Sequence, residues 1–191
     1  MEQKQWAPNV ILVDADYLDN VAFNLIVNFE RMLGRRIKQA DLCHWLDCIA
    51  LDSGLRPGDN EIQVVFLHGK QTTRLKNFSP SNFEEDLNGL SFKDNLGRFN
   101  LFAFPVEEVV EKDEFVVQSV AMTADEKQVK RLMIVADMDA YGDRIKRICA
   151  QTDGKEKVLF AMEPLTGCGF SQEILGYSLM AALGIRGEEL Q

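Results

Sequence analysis

A three-layer α/β fold, with a mostly parallel central sheet and helices on both faces, is what this sequence predicts. Three observations predict it. Apolar runs of strand length alternate with segments of helical periodicity along most of the 191 residues. The apolar runs are nearly continuous rather than alternating, as strands covered on both faces are. Two of them, VILVDAD and RLMIVADMD, end in paired aspartates, at the strand exits where a parallel sheet gathers its ligand-binding groups.

The first strand is read over Asn9 to Val13. From Tyr17 to Leu33 the apolar residues Leu18, Val21, Ala22, Leu25, Ile26 and Phe29 recur at helical spacing, and Gly34 stops that helix. A second helix is expected from Ala40 to Leu51, with Leu42, Trp45, Leu46 and Ile49 inward, ahead of the turn-forming SGLRPGDN. IQVVFLHG is the second strand. Residues 70–98 are polar, with only Phe83 to Leu90 able to make a short helix, so a long surface excursion and the best place for a mobile loop are expected there. FNLFAFPV is the third strand. Behind it a crossover helix is expected to begin near Asp113, because the next parallel strand, LMIVAD, needs one. A helix from Ala140 to Ala150, the strand KVLFAM and a last helix from Ser171 to Leu183 complete the alternation within one domain, 1–191.

Thirty acidic against 21 basic residues give a net charge of -9, which disfavours passive attraction to nucleic acid, so RNA would have to be held by a local basic patch or through a metal. Cys43, Cys48, Cys149 and Cys168 form no Cys-x-x-Cys pair, and neither a signal peptide nor a membrane span is evident. A cytoplasmic protein with reduced thiols and no membrane association is expected. Cys43, His44 and Cys48 lack the spacing and fourth ligand of a zinc site and read as small core groups. The sequence says nothing of oligomeric state.

The chemistry concentrates in the aspartates. If the two Asp-x-Asp strands are neighbours, Asp14, Asp16, Asp137 and Asp139 crowd one volume, and Asp113 joins them if its helix starts at the same edge. Like charges so close require a cation or a proton between them. Carboxylates without histidine or cysteine suit Mg²⁺ or Mn²⁺. One or two such ions activate water and stabilise the oxygens of a phosphoryl group in in-line displacement. The competing reading makes each aspartate a helix cap or turn former, an explanation that serves Asp16 and Asp139 best. Lys70 and Arg74, at the start of the excursion, are candidate phosphate-binding residues. His68 ends the second strand, either as a proton donor to the pocket or in a structural hydrogen bond. Gly167 and Gly169 are too degenerate a pair to read as a phosphate cradle.

The order VILVDADYLDN, EKDEFVVQ, LMIVADMDAY resembles the NYN branch of the PIN-like nuclease superfamily. That pattern runs from a strand with an Asp-Gly-x-Asn type turn, through Lys-x-x-Asp-hydrophobic at a helix start, to a strand ending in Ser-Gly-Asp-x-Asp-Phe. The tail KVLFAMEPLTGCGFSQEILGYS is also similar, with Ser171 to Ile174 at its helix start. The resemblance implies metal-dependent RNA cleavage, with Asp14 and Asp137 as catalytic core, Asp14, Asp113, Asp137 and Asp139 as ligands to Mg²⁺ or Mn²⁺, and Asp16 as an accessory ligand or outer acceptor. Tyr17 stands at the family's Asn, Val135 and Ala136 at its Ser-Gly, and Ala140 at its Phe. Those departures carry a second reading, a catalytically inactive PIN-like binding module. The DxD after an apolar strand also resembles the haloacid dehalogenase phosphatases, which implies Asp14 as nucleophile, Asp16 as general acid, Lys127 or Lys130 on the phosphate, and Asp137 or Asp139 on Mg²⁺. Arg144, Lys146 and Arg147, running away from the pocket, read as a solvated helix face.

Overall fold

Five helices and a seven-stranded sheet make up a computed structural model that describes residues 5–107, 109–166 and 170–191. In chain order, β1 (Asn9–Asp14) leads directly into α1 (Ala15–Leu33), which Gly34 closes in the left-handed conformation. The two-residue β2 (Ala40–Asp41) precedes α2 (Leu42–Asp52), and β3 (Asn60–His68) follows. The excursion carries β4 (Phe78–Ser79), paired with β2, then a π-type turn at Phe83–Leu87 and β5 (Ser91–Asp94), which pairs antiparallel with β6 (Gly97–Pro105). Then come α3 (Lys112–Asp125), β7 (Arg131–Val135), α4 (Met138–Ala150), β8 (Glu156–Ala161), β9 (Ser171–Ile174) and α5 (Leu175–Ala182), with a 3₁₀ turn at Gly187–Leu190.

The sheet order is β5-β6-β3-β1-β7-β8-β9, parallel throughout except for β5. Successive parallel strands step outward from β1 to β6, and the chain then crosses back to build β7, β8 and β9 on the other side. Strand order therefore reverses between β1 and β7, and at such a switch point an open α/β sheet has its crevice beyond the carboxyl ends of the two strands. The twin aspartate motifs of the sequence sit on either side of that crevice, in a register that sets Val13 against Val135.

One face of the sheet buries Ile11, Val13, Val64, Phe66 and Val135 against α1, α2 and α5; the other buries Val10, Leu12, Leu67 and Ile134 against α3 and α4. Both faces of β1 are closed, which explains its unbroken apolar sequence. The β3-to-β6 crossover packs Phe83 and Leu87 of its π-type turn into the core but carries no α-helix, and β6 alternates between buried and open positions.

Two expectations need correction. Ser171 to Ile174 does not begin a helix; it is the edge strand β9 against β8, and the helix starts at Leu175. Exposed Ser171 and Glu173 alternate with half-buried Gln172 and Ile174, a period of two that fits a strand. The excursion, expected to be mobile, is pinned to α1. Asp19 accepts from the amides of Lys76 and Asn77, each at 2.9 Å, and from the Asn77 side chain. Asp16 holds Gly69 and Thr72.

Candidate functional site

Asp14 ends β1 and caps α1, its Oδ1 accepting from the Tyr17 amide at 3.2 Å. It is the most enclosed of the acids, 1 % exposed. The Lys112 ammonium forms an ion pair with Oδ1, and the Tyr141 hydroxyl donates to Oδ2, so both oxygens are engaged. Lys112 also lies 3.8 Å from Asp16 Oδ2. α3 thus delivers a cation where the sequence led us to expect a carboxylate. Successive helical residues point about 100° apart, and Asp113, the neighbour of Lys112, is exposed in a surface depression with Val110, Glu114 and Arg144. In the Lys-x-x-Asp pattern the carboxylate stands three residues beyond the lysine, which in this chain is Phe115.

Tyr141 joins the two strand exits. It leaves helical geometry inside α4 (φ -140°, ψ 19°), and its buried hydroxyl accepts from the Asp137 amide at 3.1 Å while donating to Asp14. Burial and the adjacent Asp14 carboxylate push its phenol upward. Asp137 caps α4, with Oδ1 3.2 Å and 3.1 Å from the amides of Asp139 and Ala140. Asp139 is exposed. The helix caps are therefore Asp14 and Asp137, not Asp16 and Asp139 as the capping alternative favoured. Tyr17, at the position of the resemblance's Asn, is pushed up to about 12 by burial and then by Asp137, Asp139 and Asp14, so the acids of both exits act on one phenol.

Asp16 faces away from β7 toward the excursion. Its Oδ2 accepts from the Gly69 amide at 2.8 Å, and its Oδ1 lies 3.0 Å from the Thr72 hydroxyl. A Cβ on Gly69 would come within 2.9 Å of Asp16 Oδ2, so this approach requires glycine. His68 is buried, stacked on Phe83 with ring centroids 4.0 Å apart and Nδ1 2.9 Å from the Gly69 carbonyl, the structural bond anticipated for it. Lys70 and Arg74 are exposed; Lys70 lines a cavity with His68 and Thr72, and Arg74 bridges to Asn82.

Tyr141 links Asp14 to Asp137, Lys112 lies between Asp14 and Asp16, and Asp139 acts with Asp14 and Asp137 on Tyr17, whereas Asp113 stands apart on the exposed side of α3. Among the described residues no three His, Cys, Asp or Glu side chains gather to hold one metal ion. With Asp14 satisfied by an ammonium and a phenol, these donors do not fit Mg²⁺ or Mn²⁺ as they stand. Sequence reasoning had named Lys112 only within a motif and had missed Tyr141 altogether. A lysine at a helix start and a tyrosine at helical spacing carry no signal of convergence until the strand order is known.

The remaining candidates are ordinary surface or core. Arg144 pairs with Glu114 across α3 and α4 at 2.7 Å, as a solvated helix face does. Lys130 immediately precedes β7, and Lys127 lies beside it in a depression at the amino-terminal edge of the sheet. A five-residue strand and its flanks, at ~3.3 Å per residue, separate them from Asp14 by roughly 20 Å. Burial raises the thiols of Cys43 and Cys48, and Cys149 is buried. Gly167, Cys168 and Gly169 lie outside the described residues. No helix of the described residues is long and apolar enough to cross a membrane.

A model of a family of unknown function, DUF6621, matches residues 3–190. The chain belongs to that family. No curated protein and no solved structure matches it. The chemistry of this DUF6621 chain centres on its Asp14–Lys112–Tyr141 arrangement.

Proposed function

We propose that this is a PIN-like module of the NYN type that binds RNA without cleaving it, its acidic pocket closed by its own Lys112 and Tyr141. The observation that carries this reading is the ion pair between Lys112 and the buried Asp14. A lysine ammonium neutralises Asp14 as a divalent ion would, but it supplies no coordinated water to attack phosphorus. A metal-dependent ribonuclease built on Asp14 and Asp137 would have to break the Lys112 ion pair at a carboxylate that is 1 % exposed. That penalty, several kcal/mol for a buried pair, opposes metal entry. Binding fits the cations that the excursion carries after β3, Lys70 and Arg74. On a chain of net charge -9 the contact is local and weakens steeply with salt.

The dehalogenase-like reading requires Asp14 to meet a phosphate, yet its side chain is enclosed and both oxygens are engaged. Lys127 and Lys130 belong to the far edge. One set of assays separates the three readings: binding of single-stranded RNA by fluorescence anisotropy, RNA cleavage with and without Mn²⁺, and hydrolysis of p-nitrophenyl phosphate. RNA bound intact, with no Mn²⁺-dependent products, is the expected result. Mn²⁺-dependent cleavage abolished by Asp14→Asn and by Asp137→Asn would restore the ribonuclease and sink this proposal. Phosphomonoester hydrolysis lost in Asp14→Asn would do the same in favour of the phosphatase.

A further inference from the structure

We infer that the cavity beside this crevice, outside the carboxyl ends of β3 and β6, binds a nucleotide through the polar edge of an amino-bearing base, with its phosphate toward Lys70. The choice of ligand class rests on the RNA-binding reading above. The cavity measures about 690 Å³, within the usual range of small-molecule sites. Thr72 is common to both places: it lines the cavity while its hydroxyl bonds to Asp16.

The hydrogen-bonding capacity of the walls defines the ligand. His68, 7 % exposed, lies in hydrogen-bond range of the Gly69 carbonyl through Nδ1. A carbonyl only accepts, so Nδ1 is the donor in this bond. Asn88 uses its Oδ1 on the Ala103 amide at 3.1 Å, and Asn82 uses its Oδ1 on the amides of Glu84 and Glu85. Each asparagine keeps its NH₂ as a donor. Glu84 and Glu85 add carboxylate acceptors on the π-type turn, Lys70 lines the cavity from the segment that leaves β3, and Arg74 pairs with Asn82 beside the turn. Several acceptors beside amide donors suit the exocyclic amino group and ring nitrogen of adenine, cytosine or guanine; uracil has no amino group to offer. Lys70 brings positive charge to the lining, so the phosphate of the ligand turns toward it and the base toward the turn.

Calorimetric titration with AMP, CMP, GMP, UMP and a tetranucleotide RNA tests this, on the full chain and on three variants. Thr73→Trp fills the cavity from an exposed rim position, Glu85→Gln removes one acceptor charge, and Lys112→Met alters the crevice alone. The expected result is that the three amino-bearing nucleotides bind about tenfold or more tighter than UMP. Thr73→Trp should weaken them by a similar factor, Glu85→Gln by less, and Lys112→Met hardly at all. Equal affinity for UMP, or no binding of any monophosphate, overturns the inference. So does binding lost in Lys112→Met but kept in Thr73→Trp, which would put the ligand in the crevice and leave the RNA-binding reading intact. A tetranucleotide sensitive to Thr73→Trp identifies RNA as the source of the base. Monophosphates that bind while the tetranucleotide does not support the cavity and overturn the RNA-binding reading instead.

Discussion

Lys112→Met isolates the contact on which the functional reading turns. It removes the ammonium while keeping a side chain of similar length, and it leaves Asp14, 1 % exposed, with only the Tyr17 amide and the Tyr141 hydroxyl. Breaking a buried ion pair from one side costs about 3–5 kcal/mol. Lys112 is itself 26 % exposed and two bonds to Asp14 survive, so the lower end applies, about 3 kcal/mol. For a chain of this size that is a fall in melting temperature of about 6–12 °C. Urea unfolding of the wild type, Lys112→Met, Asp14→Asn and the double variant gives the coupling, expected to exceed about 1.5 kcal/mol because the neutral amide no longer needs the cation. Mn²⁺ should raise the melting temperature of Lys112→Met and not that of the wild type, since the bare carboxylate becomes available to a cation that binds only the native state. A Lys112→Met protein within about 0.5 kcal/mol of wild type, with additive single effects, would refute the reasoning.

Three further outcomes follow from the same geometry. Tyr141→Phe removes the hydroxyl shared by Asp14 and the Asp137 amide, and should cost about 1–3 kcal/mol in urea unfolding. Asp19→Ala releases the excursion from α1, and amide exchange at Lys76 and Asn77 should accelerate while the strands keep their protection. Asp47 on α2 is pushed up to about 7 by burial and then by Asp94 and Asp41, and one of its oxygens is enclosed without a partner. An acid raised in the folded state contributes fully below its unfolded value near 4 and loses that contribution as pH climbs through 7. Asp47→Asn should therefore match wild type near pH 4 and exceed it at pH 8, by about 1–2 kcal/mol once solvent screening of a partly buried group is allowed for; equal urea midpoints at pH 8 would contradict the assignment.

The parallel sheet was legible because burial on both faces leaves a mark in each strand: Val10 to Val13 and Leu132 to Val135 have no polar residue to place, and both motifs end where the strands do. The last strand escaped notice for the opposite reason. β9 is an edge held to β8 by backbone bonds, which any side chain can accompany, and Ser171, Gln172 and Glu173 carry no hydrophobic signature. Two corners of the site, Asp14 and Asp137, were legible as chemistry attached to strand ends. The third was not, because Lys112 and Asp113 are adjacent in sequence and only the rotation of α3 about its axis decides which of them faces β1.

That rotation also bears on why the crevice tolerates so many acids. Each carboxylate brought there has its own internal partner. Asp14 has Lys112 and Tyr141, Asp137 has the first amides of α4, and Asp16 has Gly69 and Thr72. Charge crowding was the original reason to expect a metal, and it is relieved here by an ammonium, helix amides and a tethered loop. The tether gives Asp16 a task unlike that of a metal ligand: it fixes the segment from Gly69 to Thr72 that forms one wall of the neighbouring cavity. Asp16→Asn would keep the shape and lose the charge, exchanging one acceptor oxygen for a donor that faces the Gly69 amide or the Thr72 hydroxyl. Nucleotide affinity should then fall while Lys112 stays on Asp14, whereas a ligand seated on the crevice acids would be expected to bind an anion better once a negative charge is removed. The sign of that single change separates an acid that shapes a neighbouring pocket from one that belongs to the binding surface itself.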